Sequence, residues 1–137
     1  MRKLILLLIF AFTTLVACKK DKAETNTNRL IGKWKVNSVT YVTYQNGTEM
    51  ERKEESKPNQ FWDFRDNGTA TVNFEGSDDL DVNWISTENT LQFTVKEDKL
   101  EFQINTLTPN NMLAIYNLVD VENGVTYRSS IEFRLTK

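Results

Sequence analysis

From Leu30 onward, apolar and polar residues alternate with a period of two, which is the spacing of β-strands with one buried face. In "FWDFRDNGTATVNF", Trp62 and Phe64 share one face, and the "DNG" that follows is a hairpin signal. The same alternation recurs to the end of the chain, with short turn segments between the runs. It predicts eight strands, at about 31–44, 60–65, 69–75, 80–86, 90–96, 99–106, 111–121 and 125–136.

Sequential strands joined by tight turns are typical of an antiparallel up-and-down meander, and closing the sheet into a barrel removes its exposed edges. We therefore predict an all-β protein, an eight-stranded antiparallel meander closed into a small barrel. The only long connection, residues 45–60, is highly charged and contains Pro58, which disfavours a central strand. It is interpreted as a mobile loop, with an edge strand over residues 48–55 as the alternative.

The N-terminal segment has the layout of a secretory signal peptide. Met1–Lys3 is basic, and the apolar run Leu4–Val16 has about 13 residues. A membrane-spanning helix needs roughly 20 apolar residues, so this run is too short to be one. The sequence therefore predicts a cleaved signal peptide over residues 1–17, a flexible tether over 18–29 and one domain over 30–137.

The end of this apolar run, Leu15-Val16-Ala17-Cys18, resembles the lipobox of bacterial lipoproteins. That resemblance implies cleavage before Cys18, a lipid on its thiol and an acyl chain on its new amino group. The membrane is then a partner, reached through the lipid anchor. Lys19, rather than an aspartate, follows the cysteine. In that family this favours the outer membrane of the cell envelope, on its periplasmic face or at the cell surface.

Composition argues against several classes of function. The chain has 17 basic and 19 acidic residues, and loss of Arg2 and Lys3 with the signal peptide makes the mature chain more acidic. An acidic chain without a basic stripe argues against nucleic-acid binding. The chain has no histidine, the commonest general base and metal ligand, and its one cysteine is assigned to the anchor. We therefore predict no enzyme activity and no cofactor. We also predict no metal site, since the acidic turn "EGSDD" at 75–79 lacks the spacing of a calcium loop.

Four stretches in order resemble the lipocalin-like lipoproteins of Bacteroidota, and the resemblance extends over about residues 30–137. "RLIGKWKVNSVTY" resembles the family's opening, with Gly32-Lys33-Trp34 as its Gly-x-Trp motif. "FWDFRDNGTATV", "FQINTLTPNNMLAIYNL" and "IEFRLTK" resemble its second hairpin, late strand pair and closing strand. In lipocalins an arginine near the last strand commonly stacks on this tryptophan, and Arg134 is the candidate here. The alternation of Phe133 and Leu135 nevertheless predicts that Arg134 faces outward.

This resemblance implies that the barrel binds a small hydrophobic molecule without catalysis. The candidate lining residues are the large side chains predicted to face inward: Trp34, Trp62, Phe64, Phe74, Trp84, Phe93, Phe102, Ile115 and Phe133. The same side chains could instead fill the barrel completely, as they do in many eight-stranded barrels.

The alternative function is a surface interaction module with a filled barrel, binding a glycan or an unidentified protein partner. Exposed aromatic residues would favour it, and the predicted phases leave Phe61, Tyr127 and one of Tyr41 and Tyr44 outside the barrel interior. The charged segment 48–57 lies where lipocalins carry a lid over the barrel mouth, although a solvated loop is the simpler interpretation.

Overall fold

The computed structural model describes residues 26–74 and 78–137. The predicted signal peptide, the proposed acylation site Cys18 and residues 75–77 of the acidic turn lie outside this part of the chain. The elements of the described part are α1 (Asn26–Leu30), β1 (Gly32–Gln45), β2 (Thr48–Ser56), β3 (Phe61–Phe64), β4 (Thr69–Asn73), β5 (Leu80–Ser86), β6 (Thr90–Val95), β7 (Asp98–Leu107), β8 (Asn111–Glu122) and β9 (Val125–Thr136). Within these ranges, no helix has the length and apolar character needed to cross a membrane.

Strands β1 and β3–β9 form a closed eight-stranded antiparallel barrel, which confirms the predicted fold class. Neighbours pair in the order β1-β3-β4-β5-β6-β7-β8-β9, and β9 pairs back onto β1. The long strand β1 makes closure possible, because residues 32–35 pair with β3 while residues 35–45 pair with β9. A β-bulge between Val36 and Ser38 keeps both Val36 and Val39 on the buried side.

The segment interpreted as a mobile loop is in fact strand β2, so that prediction is wrong and the alternative edge strand is correct. β2 pairs with β1 from Ser38 opposite Ser56 to Gln45 opposite Thr48. Asn46 and Gly47 both have positive φ, 48° and 81°, as a tight two-residue hairpin turn requires. An edge strand open to water can carry charges on both faces, and Pro58 lies beyond its end.

The hairpins β1–β2 and β8–β9 are longer than the others and continue past the barrel as an open four-stranded sheet. We call this sheet the extension; it comprises residues 40–45, 48–53, 117–122 and 125–131, in the strand order β2-β1-β9-β8. Directly opposed residues lie on the same face of a sheet. One face, which we call the inner face, therefore continues the interior surface of the barrel.

The centre of the barrel is a packed aromatic cluster around Trp62, whose side chain is fully buried. Its ring lies 5.1–6.4 Å, centroid to centroid, from five phenylalanine rings, mostly in edge-to-face arrangements: Phe64, Phe74, Phe93, Phe102 and Phe133. Such pairs add to the gain from burial alone. The barrel is therefore solid at this level.

The base of the barrel is closed by Trp34, α1 and Lys137. The Trp34 indole Nε1 donates to the Leu30 carbonyl at 2.7 Å. The Lys137 ammonium lies 4.8 Å from the Trp34 ring centroid and donates to the carbonyls of Ile31 (2.7 Å) and Arg29 (2.9 Å). Lys137 thus occupies the place for which Arg134 was the candidate.

Arg134 itself is exposed and lies opposite Ser38 and Leu113, as the alternation of β9 predicted. Residues 26–29, at the end of the expected tether, belong to α1. Thr27 Oγ1 is hydrogen-bonded to Ser86 Oγ at 2.9 Å, and Asn26 donates to the Glu88 carbonyl. These contacts attach α1 to the end of β5 and to the turn that follows it.

Candidate ligand site at the barrel mouth

A cavity of about 260 Å³ lies where the barrel meets the extension, at the end opposite Trp34. Its walls are aromatic and aliphatic side chains from the end of β4, the start of β7 and the middle of β8 and β9: Phe74, Leu100, Phe102, Tyr116, Ile131 and Phe133. The cavity is open on one side. Its chemistry suits an apolar guest rather than an ion or a strongly polar one.

Strand register brings these side chains together. Tyr116 lies opposite both Phe102 of β7 and Ile131 of β9, so the three form one row across the sheet. The Phe102 and Tyr116 rings are 5.5 Å apart, and the Phe74 and Phe133 rings are 6.4 Å apart. The Trp62 cluster lies directly beneath, since Trp62 contacts the rings of Phe74, Phe102 and Phe133. The cavity therefore has an aromatic floor.

The predicted lining residues divide into three groups: those that line the cavity, those buried in the barrel core, and Ile115, which faces outward. Phe74, Phe102 and Phe133 line the cavity. Five others are buried in the core of the barrel and contribute no wall to it: Trp34, Trp62, Phe64, Trp84 and Phe93.

The inward position predicted for Ile115 is wrong. Ile115 lies opposite Gln103 and Glu132, on the outer surface of the barrel. Strand β8 is apolar in both phases, and its pairing of Ala114 with Phe133 turns Ile115 outward.

Three wall residues were not among the predicted lining residues. Leu100 and Ile131 share the phase of Phe102 and Phe133, so alternation alone contained the signal for both. Tyr116 is different, because its phase in β8 depends on the pairing with β9.

A charged cluster on β2 flanks the mouth on the same inner face. Glu55 lies opposite Val39, which in turn lies opposite Phe133. Its carboxylate contacts the ammonium groups of Lys53 (2.6 Å) and Lys57 (2.7 Å). Hydrogen bonds from these two lysines lower the pKa of Glu55 to about 2. This carboxylate therefore stays ionised near neutral pH and cannot act there as a general acid.

On the outer face of the extension, long side chains cover β1 and β9, while Val119 and Val121 of β8 are each 63% exposed. The Arg128 guanidinium lies 3.9 Å from the Tyr44 ring centroid. Arg52 contacts Glu49 at 3.1 Å and Glu132 at 3.3 Å. The pKa of Arg52 is raised and that of Glu49 is lowered, chiefly by their mutual hydrogen bond. Val42 is buried between these strands even though it points away from the barrel interior.

The inner face of the extension also carries exposed aromatic and apolar side chains. Tyr41, Leu118 and Tyr127 are 40%, 52% and 43% exposed, respectively. Tyr127 was predicted to lie outside the inward phase, and the register corrects this, because Tyr127, Ile131 and Phe133 are on one face of β9. The apolar surface of the cavity therefore continues upward onto the extension.

The described part of the acidic turn shows no arrangement suited to a metal ion. Asp79 accepts a hydrogen bond from Asn73 at 2.8 Å, and Asp81 accepts one from Thr71 at 2.6 Å. The Thr71 hydroxyl and the Arg65 guanidinium lower the pKa of Asp81. Within residues 26–74 and 78–137, no three acidic, histidine or cysteine side chains cluster as metal ligands would.

An eight-stranded closed barrel is just wide enough to be filled by side chains or to hold one small ligand, and this barrel is filled at its centre and open at its mouth. The chain matches the family model of the lipocalin-like domain over residues 30–113, and it belongs to that family. Among solved structures, it is similar to a deswapped triple mutant of bovine odorant binding protein. The two are 18% identical over 80% of this chain and 74% of that one, with a TM-score of 0.43. The comparison with curated proteins finds no match.

Proposed function

We propose that this protein binds one small hydrophobic molecule, without catalysis, in the cavity at the barrel mouth. The observation that carries the proposal is the cavity itself, an opening of about 260 Å³ with aromatic and aliphatic walls above a solid aromatic floor. Each 100 Å² of apolar ligand surface removed from water there would contribute about 2.5 kcal/mol. Membership of the lipocalin-like family supports the same function.

Native mass spectrometry of the protein isolated from its own host's envelope tests this proposal. The protein is clipped from its anchor and sprayed from a volatile buffer. We expect a discrete additional mass that is lost on denaturation and is recovered in an organic extract. A ligand-free mass in repeated preparations, together with no uptake of apolar probes, would contradict the proposal.

The alternative, a surface module that binds a glycan or a protein partner, draws support from the exposure of Tyr41 and Tyr127. It differs from the first proposal in requiring no occupant in the cavity. Blocking the cavity with a larger side chain should then leave partner binding intact.

The proposed location is the cell envelope, with the chain anchored in the outer membrane by acyl groups on Cys18. The sequence Leu15-Val16-Ala17-Cys18 and the preceding apolar run support this. Metabolic labelling with an alkyne-bearing fatty acid tests it. We expect labelling of the native chain and none of a Cys18→Ser variant, and equal labelling of the two would contradict the anchor.

A further inference from the structure

The cavity is too small for a typical whole ligand. Small-molecule sites usually measure about 300–1,000 Å³ and bury most of the ligand, whereas this one measures about 260 Å³ and is open on one side. A guest that fills it will therefore project out of the mouth. The surface that such a projecting part meets first decides which ligands the protein can distinguish.

The inner face of the extension is that surface. Tyr116 and Ile131, which line the cavity, belong to a row that continues through Tyr41 to Lys53. The next row along the strands holds Leu118, Ser129, Thr43 and Glu51, and the row after it holds Asp120, Tyr127 and Gln45. At about 3.3 Å per residue, Tyr127 stands about 13 Å beyond the row that borders the cavity.

The side chains of this face combine aromatic rings with neutral hydrogen-bonding groups. Tyr41 and Tyr127 are both partly exposed, and hydroxyl and amide groups lie between them on Thr43, Ser129 and Gln45. The negative faces of aromatic rings attract the weakly positive C–H groups of sugar rings. Hydroxyls and amides can both donate and accept, as the hydroxyls of a sugar also do.

The charges of the inner face disfavour an anionic headgroup. The Lys53 ammonium contacts Glu55 at 2.6 Å, and Asp120 accepts a hydrogen bond from the Val121 backbone N–H at 2.9 Å. Lys53 is already paired, whereas Glu51 and Asp120 leave negative charge exposed on this face, so an anionic headgroup would be repelled. A neutral headgroup avoids this repulsion and can use the aromatic rings and hydroxyl groups of the face.

We propose that the ligand is an amphiphile with an aliphatic tail in the mouth cavity and a neutral, sugar-like headgroup on the inner face of the extension, between Tyr41 and Tyr127. This inference rests on the proposed function and adds a ligand class to it. The tail supplies affinity by apolar burial, and the headgroup supplies selectivity. The sequence prediction did not point to this surface, because it placed Tyr127 outside the inward phase, although Tyr127 lies an even number of residues from Ile131 and Phe133.

Calorimetric titration with probes that share one tail tests the inference. The probes are octyl β-D-glucoside below its micelle concentration, 1-octanol, octanoate and octylamine. The protein is the chain from residue 18 onward with Cys18→Ser, so that no lipid is attached. We expect octyl glucoside to bind about tenfold more tightly than 1-octanol, a difference of about 1.4 kcal/mol.

Variants of the two tyrosines locate the headgroup. We expect Tyr41→Ala and Tyr127→Ala each to bring the affinity for octyl glucoside towards that for 1-octanol, while binding of 1-octanol is unchanged. Tyr127→Phe keeps the ring and should keep most of the preference. Ile85→Ala is the matched control, because Ile85 is 64% exposed on a different strand of the barrel. Thermal melting checks that each variant is folded.

The outcomes separate the inference from the proposed function. Equal binding of octyl glucoside and 1-octanol would overturn the headgroup site and leave the cavity as a binding site. Tighter binding of octanoate or octylamine would overturn the neutral headgroup in favour of a charged one. Binding of none of the probes would count against the cavity, and therefore against both.

Discussion

At the scale of single residues, Trp62 fixes the position of the cavity. Its ring fills the barrel centre and touches three of the rings that line the mouth, so the space above it stays open while the space around it is filled. Within the described part of the chain, its Nε1 has no hydrogen-bond partner although it is buried. Trp62 thus contributes packing rather than a polar contact.

Replacing Trp62 should therefore test packing. We expect Trp62→Ala to lower the free energy of unfolding by about 3–5 kcal/mol, because it leaves a large hole among five rings. Trp62→Phe should cost less, since it retains a ring and removes an unpartnered N–H. Urea denaturation measures both, and equal losses for the two variants would contradict this account.

Lys137 is the second residue with an effect beyond its own position. Its side chain joins the end of β9 to the segment before β1, through hydrogen bonds to two backbone carbonyls and a contact with the Trp34 ring. Family resemblance pointed to an arginine near the last strand, but the outward phase of Arg134 prevents that contact. A lysine three residues later reaches the same tryptophan.

Lys137 and Arg134 allow a matched comparison of how two cationic side chains affect stability. We expect Lys137→Ala to lower the free energy of unfolding by about 1–2 kcal/mol, through lost charged hydrogen bonds and cation–π attraction. Arg134→Ala should have little effect, because Arg134 is exposed on the outer surface. Thermal denaturation of both variants checks this, and a larger loss for Arg134→Ala would show that the base is held differently.

At the scale of elements, the hydrophobic pattern predicted the strands that bury one face. It gave no signal for a strand that buries neither face. β2 is exposed along nearly its whole length, so no apolar alternation marks it. The Asn46-Gly47 turn was the available signal, since Asn-Gly is a strong two-residue hairpin sequence. The prediction for β8 was wrong for the opposite reason. Both phases of β8 are apolar, and only the pairing of Ala114 with Phe133 shows that Ala114, and not Ile115, faces inward.

Because of the charged cluster on β2, the free energy of unfolding should fall as the pH is lowered. The folded-state pKa of Glu55, about 2, lies below the usual value of 4.5, so the unfolded chain binds this proton more readily. Its contribution is present above pH 4.5 and is lost as the pH falls towards 2.

A charge-neutralising variant of Glu55 measures this contribution. We expect Glu55→Gln to lower the melting temperature at neutral pH and to make little difference near pH 2, where wild-type Glu55 is itself half protonated. Glu101→Gln, on an exposed position of β7, is the control. A deficit that stayed constant across the pH range would contradict a role for the Lys53–Glu55–Lys57 cluster.

At the scale of the whole molecule, the barrel has a closed base, a solid centre and an open mouth. Trp34 and Lys137 close the base, the Trp62 cluster fills the centre, and the extension continues one wall of the mouth into solvent. A fully packed barrel would leave only its surface for recognition. The open mouth adds an apolar cavity that lies above these packed layers.

The most direct test of this account is to fill the mouth cavity without disturbing those layers. Leu100 is partly buried in the cavity wall, and Leu100→Trp should occupy much of the space. Ile85→Trp adds the same bulk at an exposed site away from the mouth and is the control.

Binding is followed by the fluorescence of N-phenyl-1-naphthylamine, which brightens in apolar surroundings. The account predicts saturable binding by the wild type and Ile85→Trp, and a loss of about tenfold or more in affinity for a folded Leu100→Trp. Unchanged binding by Leu100→Trp would contradict a ligand site at the barrel mouth.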